Sequence, residues 1–115
     1  FQFGLGVFIA RSASVNPLVV IGDYSIINTS AVIEHECVIG SAAHIAPGAV
    51  LAGNVTVGNR TFIGANSVVK QGVTIGNDVI IGAGSVIIRD VPDGITLVGN
   101  PAKKISERHI DSSLK

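Results

Sequence analysis

The residues of this 115-residue chain with the most chemistry to offer are three histidines, one cysteine and a short acidic run. His35 stands between Glu34 and Glu36 and is followed at once by Cys37. A carboxylate beside an imidazole can fix its tautomer and strengthen it as a base, which is what a general base needs near neutral pH. Neighbouring residues of a strand face opposite ways, so His35 and Glu36 can act together only at a corner of the chain. His44 follows nine residues later, and His109 lies 65 residues beyond that.

What must position these groups is a repeat. Every sixth residue from Phe3 to Ile87 is large and apolar: Phe3, Ile9, Val15, Ile21, Ile27, Ile33, Ile39, Ile45, Leu51, Val57, Ile63, Val69, Ile75, Ile81 and Ile87. Four residues after each comes a small or β-branched one, among them Ala31, Cys37, Ala43, Ser67 and Val79. A helix needs apolar residues every three to four positions and a half-buried strand needs alternation; a strict six is neither. Gly, Asn, Asp and Pro recur between short Val/Ile/Thr runs, which reads as strand, turn, strand. The glycines are expected at the corners, where left-handed backbone angles favour them. Three hexapeptides per triangular turn give an 18-residue coil, and fifteen hexapeptides give five coils. Parallel stacking at about 4.8 Å per coil makes a prism about 24 Å tall. The expected fold is therefore all-β, a single parallel β-helix over residues 1–91.

The coil turns sequence into a map. Residues 18 apart stack, so His35 falls in an outward column with Pro17, Gly53 and Gln71. Glycine one coil above leaves room beside the imidazole. His44 interrupts the apolar outward column of Phe8, Ile26, Phe62 and Ile80. Nine residues are half a coil, so the two histidines project from different sides of the prism. Around a threefold axis, His35 of one subunit could face His44 of the next across an apolar groove, a homotrimer with three shared sites. The outward residues are mostly apolar, too greasy for a lone monomer. Small residues at 46–48, 64–66 and 82–84 stack into a shallow track where an extended ligand could touch backbone. Cys37 occupies an inward slot, so it is expected to be structural and not a nucleophile.

Composition narrows the partners. The formal net charge is zero, which favours neither nucleic acid nor an anionic membrane. No apolar run is long enough to insert into a membrane as a helix. A single cysteine allows no disulfide within the chain and fits a cytoplasmic setting. Seven charged residues fall in the first 88 positions and nine in the last 27, marking a separate segment from about Arg89. Within residues 92–115 we expect a loop and a short helix, capped at Asn100 and running from Pro101 to about His109. That helix would place Ala102, Ile105 and His109 on one face, and Asp111 to Lys115 are expected to fray. The chain holds no Met and its repeat is already in phase at Phe3, so a further segment is expected before Phe1.

The repeat resembles the hexapeptide acyltransferases, and Val91 to Lys103, V-P-D-G-I-T-L-V-G-N-P-A-K, resembles their coenzyme A-binding stretch. More closely, N-T-S-A-V-I-E-H-E-C-V-I-G (Asn28 to Gly40), H-I-A-P-G-A (His44 to Ala49) and A-G-N-V (Ala52 to Val55) are similar to bacterial sugar acetyltransferases. The resemblance implies a left-handed β-helix, a handedness that periodicity does not supply. It also implies acetyl-CoA as co-substrate, no metal, and a nucleotide-sugar acceptor, most simply a UDP-4-amino sugar acetylated on nitrogen. Sialic acid O-acetylation is the alternative, and a non-catalytic scaffold the more distant one. In this reading His35 is the general base, Glu36 the carboxylate that strengthens it, and Asn28 a polar neighbour. His44 contacts acetyl-CoA, Gly53 offers a backbone N–H near the thioester oxygen, Ala65 and Ala83 line the cofactor, and Lys103 meets its phosphates. The family also carries an N-terminal βαβ domain for the nucleotide, of which this sequence has no G-x-G-x-x-G trace. Zinc hydrolyases of similar fold need three histidines, two closely spaced, which His35, His44 and His109 do not provide.

Overall fold

The computed structural model describes residues 1–107. Fifteen two-residue strands recur at six-residue intervals from Gln2–Phe3 to Val86–Ile87 and build three faces. The first face stacks Gln2–Phe3, Val20–Ile21, Val38–Ile39, Thr56–Val57 and Thr74–Ile75. The second stacks Phe8–Ile9, Ile26–Ile27, His44–Ile45, Phe62–Ile63 and Ile80–Ile81; the third runs from Ser14–Val15 through Val32–Ile33, Val50–Leu51 and Val68–Val69 to Val86–Ile87. Every pairing between these strands is parallel, and partners such as Ile27 and Ile45 or Val69 and Ile87 lie 18 residues apart. The chain is a parallel β-solenoid of about five coils, as the six-residue period predicts.

The interior is filled from both slots of the hexapeptide. Ile27, Ile33, Ile45, Leu51, Ile63 and Ile81 have no exposed surface, nor do the small-slot residues Ala31, Cys37, Ala49 and Val55. Four of the small slots hold hydroxyls, which a dry core tolerates only when bonded. Ser25 Oγ donates to the Gly40 carbonyl at 2.6 Å and accepts from the Ala43 N–H, and Thr61 does the same with Gly76 and Val79. Ser67 and Ser85 both donate to the Gly82 carbonyl. These hydroxyls tie a corner of one coil to the next. At the first coil the packing opens: Phe3 is 63% exposed where its stacked partner Ile21 is 1% exposed.

The corners differ from expectation. Ten side-chain-bearing residues take the left-handed φ there, including Leu18 (64°), Tyr24 (59°) and Glu36 (62°), against four corner glycines, Gly6, Gly48, Gly72 and Gly84. Most glycines serve close approach instead. Gly22, Gly40, Gly58 and Gly76 stack just past the first-face strands, and a Cβ on Gly22 would lie 2.6 Å from the Gly40 carbonyl carbon.

The expected helix from Pro101 is replaced by a hairpin. Strand Ile95–Gly99 adds in parallel to Ile80–Ile81, and Ala102–Glu107 returns antiparallel along it, through the cis peptide Asn100–Pro101. The edge left by the last coil presents unpaired backbone groups, and strand pairing satisfies them as a helix could not. Ile95, Leu97 and Ala102 pack on the core while Ile105 is exposed. His109 and the expected frayed tail, Asp111 to Lys115, lie outside the described residues.

Candidate active site

His35 and Glu36 occupy the corner between the third and first faces, the arrangement that lets adjacent residues cooperate. The turn is held from both sides. Glu36 N–H donates to the Pro17 carbonyl one coil below, and Asn54 N–H donates to the His35 carbonyl from one coil above. The left-handed φ of Glu36 swings its side chain back to its neighbour, leaving Oε1 3.3 Å from His35 Nδ1. Both side chains are a little over half exposed, open to a ligand from solvent. The carboxylate can only accept, so the Nδ1 proton points to Glu36 and Nε2 keeps a lone pair. That nitrogen lies against Gly53, one coil above: a Cβ there would come within 2.6 Å of Nε2. Gly53 is itself buried.

His44 lies on the second face, opposite that corner, between Ile26 and Phe62 in the stack. Its ring meets Phe62 edge-on, with centroids 5.2 Å apart and planes at 89°. Asn28, which the resemblance grouped with His35 and Glu36, sits beside His44 instead, its Nδ2 3.1 Å from His44 Nε2. Ala65 and Ala83 stack at the next corner, joined through the Gly84 N–H to Ala65 carbonyl bond of 2.8 Å. The chain therefore gathers the candidate residues into two separate groups, candidate half-sites. His35, Glu36 and Gly53 form one; Asn28, His44, Ala65 and Ala83 flank the other. Lys103 belongs to neither, and lines a cavity of about 340 Å³ with Arg89, Asp90, Val91, Leu97 and Pro101 at the hairpin end.

One partner was not foreseen: Thr29 donates its backbone N–H to Asn28 Oδ1 at 2.8 Å, a local contact that leaves no signal in the sequence. Phe62 buttresses His44 from the column in which the 18-residue count places both. Burial pushes the Cys37 thiol above its usual range, and its Sγ lies 3.2 Å from the Ala52 carbonyl. A buried, protonated thiol is no nucleophile. Among the described residues no three His, Cys, Asp or Glu side chains converge.

A triangular solenoid of six-residue repeats, three to a coil, defines a hexapeptide-repeat protein. The chain belongs to the bacterial transferase hexapeptide (six repeats) family, whose model matches residues 18–53 and 54–89. Among solved structures it is similar to the acetyltransferase domain of PglB from Neisseria gonorrhoeae FA1090 in complex with acetyl coenzyme A. Identity is 37% and the TM-score 0.81, over 90% of this chain and 54% of that one. PerB from Caulobacter crescentus, in complex with CoA and GDP-perosamine, is 42% identical at a TM-score of 0.82, over 90% and 53% of the two chains. WeeI from Acinetobacter baumannii AYE is 31% identical at a TM-score of 0.72, over 90% and 54%. The chain thus spans about half the length of these relatives. Curated protein sequences gave no match.

Proposed function

We propose that this chain is the catalytic domain of an acetyl-CoA-dependent N-acetyltransferase acting on the amine of a nucleotide-activated amino sugar, a UDP-4-amino sugar in the simplest case. The observation that carries the reading is the His35 half-site: Nδ1 turned to Glu36, Nε2 free to accept a proton beside Gly53. Two similar structures, one with acetyl coenzyme A and one with CoA and GDP-perosamine bound, supply the ligand class. The acceptor nitrogen attacks the thioester carbonyl while His35 Nε2 removes its proton. Collapse of the tetrahedral intermediate then expels the CoA thiolate, with no acyl-enzyme. His44 and a backbone N–H such as that of Gly53 are placed to bind the thioester and the charge that develops on its oxygen. Ala65 and Ala83 offer backbone along the cofactor, and Lys103 with Arg89 supplies positive charge at the hairpin end.

The two half-sites face away from each other on one chain, so we assign the complete site to the interface of a homotrimer. The outward column Phe8, Ile26, Phe62 and Ile80 supplies the apolar surface for that contact. Free CoA release with a panel of UDP-, GDP- and dTDP-amino sugars and sialic acid tests the reading. We expect turnover with an amino sugar. Turnover with sialic acid alone would move the assignment to O-acetylation, and no acetyl-CoA binding at millimolar concentration would leave only a scaffold.

A further inference from the structure

An imidazole has two ring nitrogens, and the surroundings of one decide what the other can do. At His44 the deciding contact is Asn28, whose Nδ2 lies 3.1 Å from Nε2. A side-chain amide can be turned over to exchange its oxygen and nitrogen, and the two orientations give opposite readings of the ring. Thr29 removes that freedom. Its backbone N–H donates to Asn28 Oδ1 at 2.8 Å, and its hydroxyl lies 3.3 Å from the same oxygen. Turning the amide over would set its NH₂ against the Thr29 N–H, donor against donor, and leave the Asn28 oxygen facing the ring. The NH₂ therefore points at His44. It has hydrogens to give and no lone pair, so Nε2 must accept, and a neutral ring with a bare Nε2 carries its proton on Nδ1. The edge-on contact with Phe62 steadies the ring plane.

We propose that Asn28, locked by Thr29, fixes His44 as the Nδ1–H tautomer and so makes it a hydrogen-bond donor toward the acyl carbonyl of acetyl-CoA, not a second base. Asn28 and Thr29 are positioning residues. His35 holds the same tautomer but presents its other nitrogen: Glu36 accepts from its Nδ1–H and leaves the Nε2 lone pair free, whereas at His44 Asn28 occupies Nε2 and leaves the Nδ1–H free. One half-site offers a lone pair and the other an N–H, which is the division of labour that proton removal and carbonyl polarisation require. The identity of the carbonyl rests on the acetyltransferase reading; the tautomer does not.

Nitrogen-15 NMR of the ligand-free chain, labelled at histidine and assigned with His44→Ala, reads which ring nitrogen is protonated. We expect the proton on Nδ1 of His44. Asn28→Asp has the same shape but places an acceptor where the NH₂ was, so it should move the proton to Nε2. It should also weaken acetyl-CoA binding roughly tenfold in calorimetry, the scale of one lost hydrogen bond with its partner stranded. A proton on Nε2 in the wild-type protein overturns the proposal. So does a folded Asn28→Asp variant with unchanged tautomer, or with unchanged acetyl-CoA affinity. Should Asn28→Asp fail to fold, the wild-type spectrum decides alone. Absence of acetyl-CoA binding by the wild-type protein would sink the acetyltransferase reading, and the tautomer would still be judged by the spectrum.

Discussion

Gly53 lies directly above His35, so close that a single added methyl group would come within 2.6 Å of Nε2. The backbone of Gly53 is not in the left-handed region, so alanine fits its conformation and only the imidazole must move. Gly53→Ala should therefore leave stability within about 1 kcal/mol. Activity should fall by roughly 10²-fold, the scale of a base displaced by about 1 Å. Thermal denaturation and CoA-release kinetics on the same preparation check both halves. An active Gly53→Ala protein would show that the ring does not work from this position.

His35→Ala removes the proposed base and should lower kcat by about 10²–10⁴-fold. Acetyl-CoA affinity should change little, because His35 is more than half exposed and supports no core contact. Glu36→Gln keeps the shape of the carboxylate and loses its charge, so its effect should be smaller and fall on kcat. A loss below tenfold in His35→Ala would remove His35 from the mechanism.

The glycines separate two physical roles that look identical in sequence. A Cβ on Gly22 would press within 2.6 Å of the Gly40 carbonyl carbon, and backbone cannot yield without parting two coils. Gly72 has nothing within 4 Å of such a Cβ but a φ of 79°. Gly22→Ala should cost more than about 2 kcal/mol, as overpacking does, and Gly72→Ala about 1 kcal/mol for a left-handed alanine. Equal losses in urea denaturation would contradict this assignment.

The same contrast shows what could be read from the sequence. Inward slots, coil length, the His35–Gly53 stack and the isolation of His44 all follow from a period of six, because stacking is fixed by counting. The role of each glycine does not, since left-handed corners are filled as readily by Leu18, Tyr24 or Glu36. The Asn100–Pro101 pair carried a sound helix signal, but it lies where an open sheet edge needs a partner, and tertiary pairing overrode it. Asn28 was placed with His35 by resemblance alone; its side chain follows the second face outward and meets His44.

Cys37 gives a pH test of the core. Its thiol is raised above the ordinary value chiefly by desolvation. The folded state thus holds its proton more tightly than the unfolded chain does. Stability is unaffected below the ordinary thiol pKa and declines as pH rises past it, when the unfolded chain gives up the proton first. Wild-type protein should lose stability in this alkaline window relative to Cys37→Ala, measured by urea denaturation across pH. Native protein should also resist iodoacetamide at neutral pH. Rapid alkylation of folded protein would contradict the buried slot.

The two half-sites make a prediction that one chain cannot satisfy. In the proposed homotrimer, His35→Ala and His44→Ala would each disable one half of every site. If a site takes His35 from one subunit and His44 from its neighbour, exchanging subunits between the two inactive variants rebuilds some sites. At equal mixing, a site is intact when its first half comes from the His44→Ala chain and its second from the His35→Ala chain. Random assortment makes about one site in four intact, so about a quarter of wild-type activity should return after mild unfolding and co-refolding. Sites contained within one subunit would return nothing beyond the sum of the two residual activities. Sedimentation on the same samples reads the assembly directly, and a monomer would end the shared-site reading. Phe62→Glu, in the apolar column beside His44, should dissociate the trimer and abolish activity while the buried solenoid core, with Ile63 facing inward, stays folded.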